Sequence, residues 1–231
     1  EIKKIQEKIF IQKLNIENQS AEAIVNSFVT YIEASSLSKD AKDLIAKEVA
    51  KSRVSGDFRE LIASCLVLMD KDYSNGLMAF SSEKMKSAEK YFDKIKPEGN
   101  PYLKAYQLYY LARVSIIQDN FERAEEILND FLKSHLNYTT HQADAFFLLA
   151  VCYYNQFKRE KALGLLTEFE KRFPDAPERM IIGAYQLINK IESFEEGSMS
   201  DVEERMEYSR RKLKMEDIDK PAEDNQEKVV S

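Results

Sequence analysis

Glycine and proline are scarce in this chain, with six and five among 231 residues. A β-sandwich or barrel needs frequent turn residues, so the scarcity favours long helices joined by short connections. No run of 18 or more apolar residues occurs, which leaves no candidate for a membrane-spanning helix. No GxSxG, HExxH or CxxC is present, and the glycines stand apart rather than in a phosphate-cradling loop. Nothing in the sequence therefore names a reaction, a cofactor or a metal, and the expectation is a non-enzyme. The two cysteines, Cys65 and Cys152, each sit inside an apolar run and read as separate buried thiols. The two histidines, His135 and His141, flank a turn with no further metal ligand at a suitable spacing, so they read as solvent-exposed loop residues.

Charge is plentiful and mixed in sign. The net charge is −6, and residues 195–231 carry 12 acidic against 7 basic side chains. A nearly neutral body with an acidic tail argues against a nucleic-acid partner, which calls for a basic patch. The chain begins at Glu1 with neither Met nor a signal peptide and reads as processed or trimmed.

Apolar residues recur at helical spacing through most of the sequence. Ile2, Ile5, Ile9, Phe10 and Leu14 predict a helix over 1–14, and Ile24, Val25, Phe28 and Ile32 one over 20–35. A third, with Leu44, Ile45, Val49 and Val54 on its stripe, follows Ser38 as N-cap, and Asp57 is placed to cap a fourth over 58–70. Asn100-Pro101 is a strong helix start. From there helices are expected at about 101–117, 120–134, 139–155 and 158–172, with Thr139 and Gln142 forming a capping box. Another follows over 177–193, then a linker. A charged helix over 200–215 is opened by a Ser200–Glu203 capping box and carries the thin stripe Val202, Met206 and Leu213. Residues 221–231 have the composition to start one more. The expected organisation is N-terminal helical hairpins over 1–57, repeats with a capping helix over 58–193, and an acidic tail over 194–231.

The stretch from Tyr102 to Pro174 holds two copies of one pattern. Leu108, Leu111 and Ala112 are followed by Ala124 and Leu128; Phe146, Leu149, Ala150 and Tyr153 are followed by Ala162, Leu166 and Pro174. Each small residue falls where two helices of a pair must cross closely. These two units resemble the tetratricopeptide repeat (TPR). They depart from it in having Leu108 and Phe146 rather than Trp, Ser115 in place of the Tyr, and Leu136 where the Pro would stand. A partial third unit near 70–96 carries Ala88, Phe92 and Ile95. Its first helix is either a short one over YSNGLMAF or the segment 58–70. Ala88, Ala124 and Ala162 are spaced by 36 and 38 residues, longer than the family's repeat.

The resemblance implies an all-α fold, a right-handed α-solenoid of antiparallel helix hairpins, acting as a protein-interaction scaffold. It implies that one face of the first helices lines a concave groove. Carried onto this sequence, that groove comprises Tyr106, Tyr109, Arg113 and Ile117 in one unit and Phe147, Val151 and Tyr154 in the next. Tyr and Arg suit a binding surface, although tyrosines at these positions also suit packing between helices. The Lys and Asn of the family's carboxylate clamp are missing, so an extended or helical apolar segment of a protein partner is the expected occupant. The alternative is a structural subunit or oligomerisation module, including a homo-oligomer. The segment LLTEFEKRFPDAPE is similar to repeat ends in bacterial envelope proteins, which points to the periplasm, with the cytoplasm as the alternative.

Overall fold

The computed structural model describes residues 19–219. The expected helices over 1–14 and 221–231 lie outside the described residues. Among those described there are eleven α-helices and no strand: α1 (Ala21–Ala34), α2 (Lys39–Ser55), α3 (Leu61–Met69), α4 (Lys71–Ser81), α5 (Met85–Lys94), α6 (Pro101–Ile117), α7 (Phe121–Ser134), α8 (Gln142–Asn155), α9 (Arg159–Arg172), α10 (Glu178–Glu192) and α11 (Met199–Asp219). A short 3₁₀ turn, Leu136–Tyr138, precedes α8. Successive helices pack as antiparallel neighbours, and the whole is an α-solenoid of hairpins.

Caps account for most boundaries. Ser20, Ser38, Asp70, Asn100 and Asn120 each accept a hydrogen bond from the backbone three residues on, satisfying a donor that the first turn leaves free. Gly56 ends α2 in the left-handed conformation. Asp70 ends α3 and opens α4 with a single extended residue, so the partial third unit uses the short first helix, α4, and not 58–70.

The hairpins α4–α5, α6–α7 and α8–α9 share one turn. Glu83, Asp119 and Phe157 each take a positive φ, near 60°, and the next residue's N–H reaches back to the carbonyls of Ala79, Ser115 and Tyr153. The geometry closes each first helix with the bonds of a Schellman turn. Seven residues before each turn stand Gly76, Ala112 and Ala150, all buried at the crossing of the hairpin. A Cβ on Gly76 would lie 2.6 Å from the Phe92 ring. Five residues after each turn stand Ala88, Ala124 and Ala162, each fully buried. Large side chains fill the layers between hairpins. Phe92, Phe131, Phe146 and Phe169 are all within 1% of complete burial, each contributing roughly 1.5–3 kcal/mol.

Some local expectations fail. Asp57 does not cap α3; its carboxylate accepts from the Arg59 N–H in the turn ahead of it. The Thr139–Gln142 capping box does not form. Thr139 accepts from the His141 N–H, while the Gln142 amide donates to the Leu136 carbonyl, and α8 starts at Gln142 itself. The box that opens α11 is Ser198–Asp201, not Ser200–Glu203: Ser198 accepts from the Asp201 N–H and Asp201 from the Gly197 N–H. Leu44 and Val54 are exposed because α2 buries only Ile45 and Val49. Cys65 and Cys152 are buried free thiols, and burial pushes Cys65 up to about 12.

Candidate functional site

The first helices α6, α8 and α10 stand side by side, and their register defines a common face. Ala112, Ala150 and Ala184 are fully buried at equivalent positions. The residue after each is Arg113, Val151 and Tyr185, and three positions before each come Tyr109, Phe147 and Ile181. The family resemblance would place these two rows on its inner face, although Tyr109 is buried. Arg113, Phe147 and Val151 are half-buried, whereas Tyr185 is 61% exposed and Ile117, at the end of α6, is 52% exposed. Arg113 is held by stacking on Phe80, Tyr109 and Tyr110, which presents its guanidinium on an aromatic bed. Phe147 lies against α10, its ring 3.1 Å from where a Gly183 Cβ would stand.

The N-terminal ends of these helices are closed by residues 57–60. Arg59 donates to both carboxylate oxygens of Asp144, at 2.5 and 2.7 Å, and its backbone carbonyl accepts from Thr140. The Tyr109 hydroxyl donates to Asp144 at 3.3 Å. The His141 ring is stacked on Tyr109 with centroids 4.3 Å apart, and its Nδ1 is 3.5 Å from Asp144. Burial works to raise the Asp144 carboxyl, but His141, Arg59 and Tyr109 outweigh it and hold Asp144 below its ordinary value. Burial pushes the Tyr109 hydroxyl well up, with Asp144 adding to the effect.

This closure revises several readings. His141 is not a loop residue in solvent; it is 1% exposed. His135 is partly buried, and burial lowers its pKa. Tyr106 lies in the core, fully covered, with its hydroxyl on Thr140, and Tyr109 is nearly so, at 3% exposure. Neither tyrosine presents a surface. The aromatic cluster seen in the sequence is thus divided between the core, which takes Tyr102, Tyr106, Tyr109, Tyr110 and Tyr153, and the inner face.

At the opposite end of the face, α11 crosses the α8–α9 turn. Its Glu204 accepts from the Tyr154 hydroxyl, from Arg159 at 2.9 Å and from Lys190 at 3.0 Å, so one carboxylate joins α8, α9 and α10. Burial works to raise Glu204, but these three donors hold it below its ordinary value. Of the residues between these contacts, Ile117 and Tyr185 are exposed and Arg113 and Val151 half-buried.

Residues 144–176 match the tetratricopeptide repeat family. The match covers most of α8, α9 and the Phe173–Pro174 exit, and the helical hairpin packing is consistent with it. No curated protein and no solved structure matches the chain. The α6–α7 and α4–α5 hairpins repeat the TPR's turn and crossing residues, at 36- and 38-residue intervals. TPRs are in general protein-interaction scaffolds and typically non-catalytic. Among the described residues no three His, Cys, Asp or Glu side chains stand together as a metal site, and no helix is long and apolar enough to cross a membrane.

The sequence pattern missed Arg59, Asp144, Ile181, Tyr185 and Glu204. In α10 the small residue buried in register with Ala112 and Ala150 is Ala184, and Tyr185 follows it.

Proposed function

We propose that this protein is a non-catalytic scaffold that binds a mainly apolar segment of a partner protein along Arg113, Ile117, Val151 and Tyr185, with Phe147 and Tyr154 bordering the strip. The observation that carries the reading is Tyr185. It is a large aromatic, 61% exposed, in register with Val151 and Arg113, and the only exposed aromatic among the described residues. An exposed Tyr beside a stacked Arg offers large contact area together with polar handles. The similarity of LLTEFEKRFPDAPE to repeat ends in bacterial envelope proteins supports a place in the periplasm.

The test is co-purification from the native host with the full chain and a Val151→Asp/Tyr185→Asp variant. Tyr185 is exposed but Val151 packs half-buried against the core, so helicity and melting of the variant are measured beside the parent's, and Tyr185→Asp alone serves as the surface-only control. Loss of a partner from the variant supports the strip; equal recovery of every partner removes it.

A second reading is an assembly module, favoured by Ile182, 48% exposed on α10 where the array of hairpins ends. An uncovered repeat face is a natural contact for another subunit. Light scattering showing a monomer at every concentration would eliminate self-association.

A further inference from the structure

α11 docks mainly through polar side chains. Its inward face carries Glu204, Tyr208, Arg211 and Lys212, at positions i, i+4, i+7 and i+8. Glu204 meets Tyr154, Arg159 and Lys190. The Tyr208 ring packs edge-on against Phe157, with centroids 5.2 Å apart. Arg211 donates to the Asn155 carbonyl at 3.1 Å, and Lys212 to Glu122. Met199, Val202, Met206 and Leu213 are all exposed. A cleft of about 990 Å³ remains between α11 and the body, lined by Met199, Val202 and Met206 together with Tyr154, Phe157 and Lys190. The helix is therefore held by charge pairs and by Tyr208, Arg205 and Arg211 against the rings of Phe157 and Phe121, with little apolar burial. Ion pairs at a surface are individually weak and are screened by salt.

The body's half of this contact is a built recognition surface. Arg159, itself stacked on Phe194 at 3.5 Å, Lys190 and the Tyr154 hydroxyl converge from three helices on one carboxylate. Phe157 supplies an aromatic ledge one turn on, and Glu122 with the Asn155 carbonyl supplies acceptors beyond it. We infer that Tyr154, Arg159 and Lys190 form a carboxylate-binding site that α11 occupies in cis, and that a partner helix bearing Glu, an aromatic four residues on and Arg-Lys at seven and eight displaces it. The tethered strap is present at high effective concentration, so an external helix binds weakly until α11 is loosened. The inference touches the proposed partner strip only through Tyr154.

The probe is a fluorescent peptide of residues 199–219, titrated by anisotropy into the full chain. With Glu204→Gln in the protein, the strap loses its charge-assisted bonds and the peptide should bind about tenfold more tightly than to the parent. Adding Arg159→Ala to that variant should abolish the gain. A peptide carrying the same Glu204→Gln change should fail on the unaltered Arg159 site, a comparison that leaves the protein's folding untouched. Equal binding by parent and Glu204→Gln proteins, or equal binding of the two peptides, would overturn the inference. A chain that binds the peptide but loses no partner on changing Val151 and Tyr185 would sink the partner strip alone.

Discussion

Tyr109 and His141 lie face to face, 4.3 Å apart and within 5° of parallel, and both border the carboxylate of Asp144. The pair brings α6 and the start of α8 onto Arg59, more than 80 residues earlier in the chain. It makes the Arg59–Asp144 contact a structural clasp between the N-terminal helices and the repeats. Removing one partner of a mostly buried ion pair strands the other, so Asp144→Ala should destabilise the chain by about 2–4 kcal/mol. Urea unfolding at neutral pH measures it. Because Asp144 is held below its ordinary value of 3.8, its contribution is present above that pH and is lost as the pH falls through the lowered value. The cost of Asp144→Ala should therefore shrink in acid.

Gly76 sits at a close crossing, against the ring of Phe92. Replacing a helical Gly with Ala gains about 1 kcal/mol of propensity. Here the added Cβ meets the Phe92 ring at 2.6 Å, and Phe92 is fully buried and has no room to yield. Overpacking of this kind costs about 1–3 kcal/mol, so Gly76→Ala should be destabilising on balance. A shift of the urea midpoint to lower concentration is the expected result.

Tyr73 is fully buried among Phe92, Tyr106 and Tyr110, and its hydroxyl has no hydrogen-bond partner. Removing an unsatisfied buried hydroxyl while keeping the ring releases its desolvation cost. Tyr73→Phe should stabilise the chain by about 1 kcal/mol, seen as a higher melting temperature.

Alkali should unfold this protein early. Burial raises Tyr102, Tyr110 and Tyr153 from an ordinary 10.0 to about 12, and raises Tyr73, Tyr106 and Tyr109 as well. Above pH 10 the unfolded chain releases these protons while the folded chain keeps them. Stability is intact below that pH and falls as it rises toward 12, by up to about 1.4 kcal/mol per pH unit for each tyrosine. Denaturant midpoints measured from pH 8 to 11.5 should be flat at first and then drop steeply.

Much of the repeat geometry was legible because it depends on neighbours close in sequence. Ala112 and Ala150, with Ala124 and Ala162, report where helices cross within a hairpin, and Asn100-Pro101 reports where a helix must begin. What was not legible depends on distant partners. His141 looks like a loop residue until Arg59 and Glu60 arrive from another part of the chain to cover it. Tyr106 and Tyr109 carry the residue type of a binding surface, and only the placement of Thr140 and Asp144 against them shows that they are core. The helix α11 was legible, but its docking was not: periodicity finds apolar stripes, whereas the docked side chains are Glu204, Tyr208, Arg211 and Lys212. The sequence leaves α4 as one of two alternatives for the first helix of the partial unit; the Phe92 ring pressed against Gly76 supplies the reason for a glycine in mid-helix.

The central claim is that the inner face of α6, α8 and α10 is the partner-binding surface. A photo-crosslinking amino acid placed one position at a time at Ile117, Val151 and Tyr185, and at the second-helix surface positions Lys133 and Glu170, tests it most directly in the native host. The account predicts the same crosslinked protein from the three inner-face positions and none from Lys133 or Glu170. Crosslinks confined to Lys133 and Glu170, or the same products from all five positions, would contradict it.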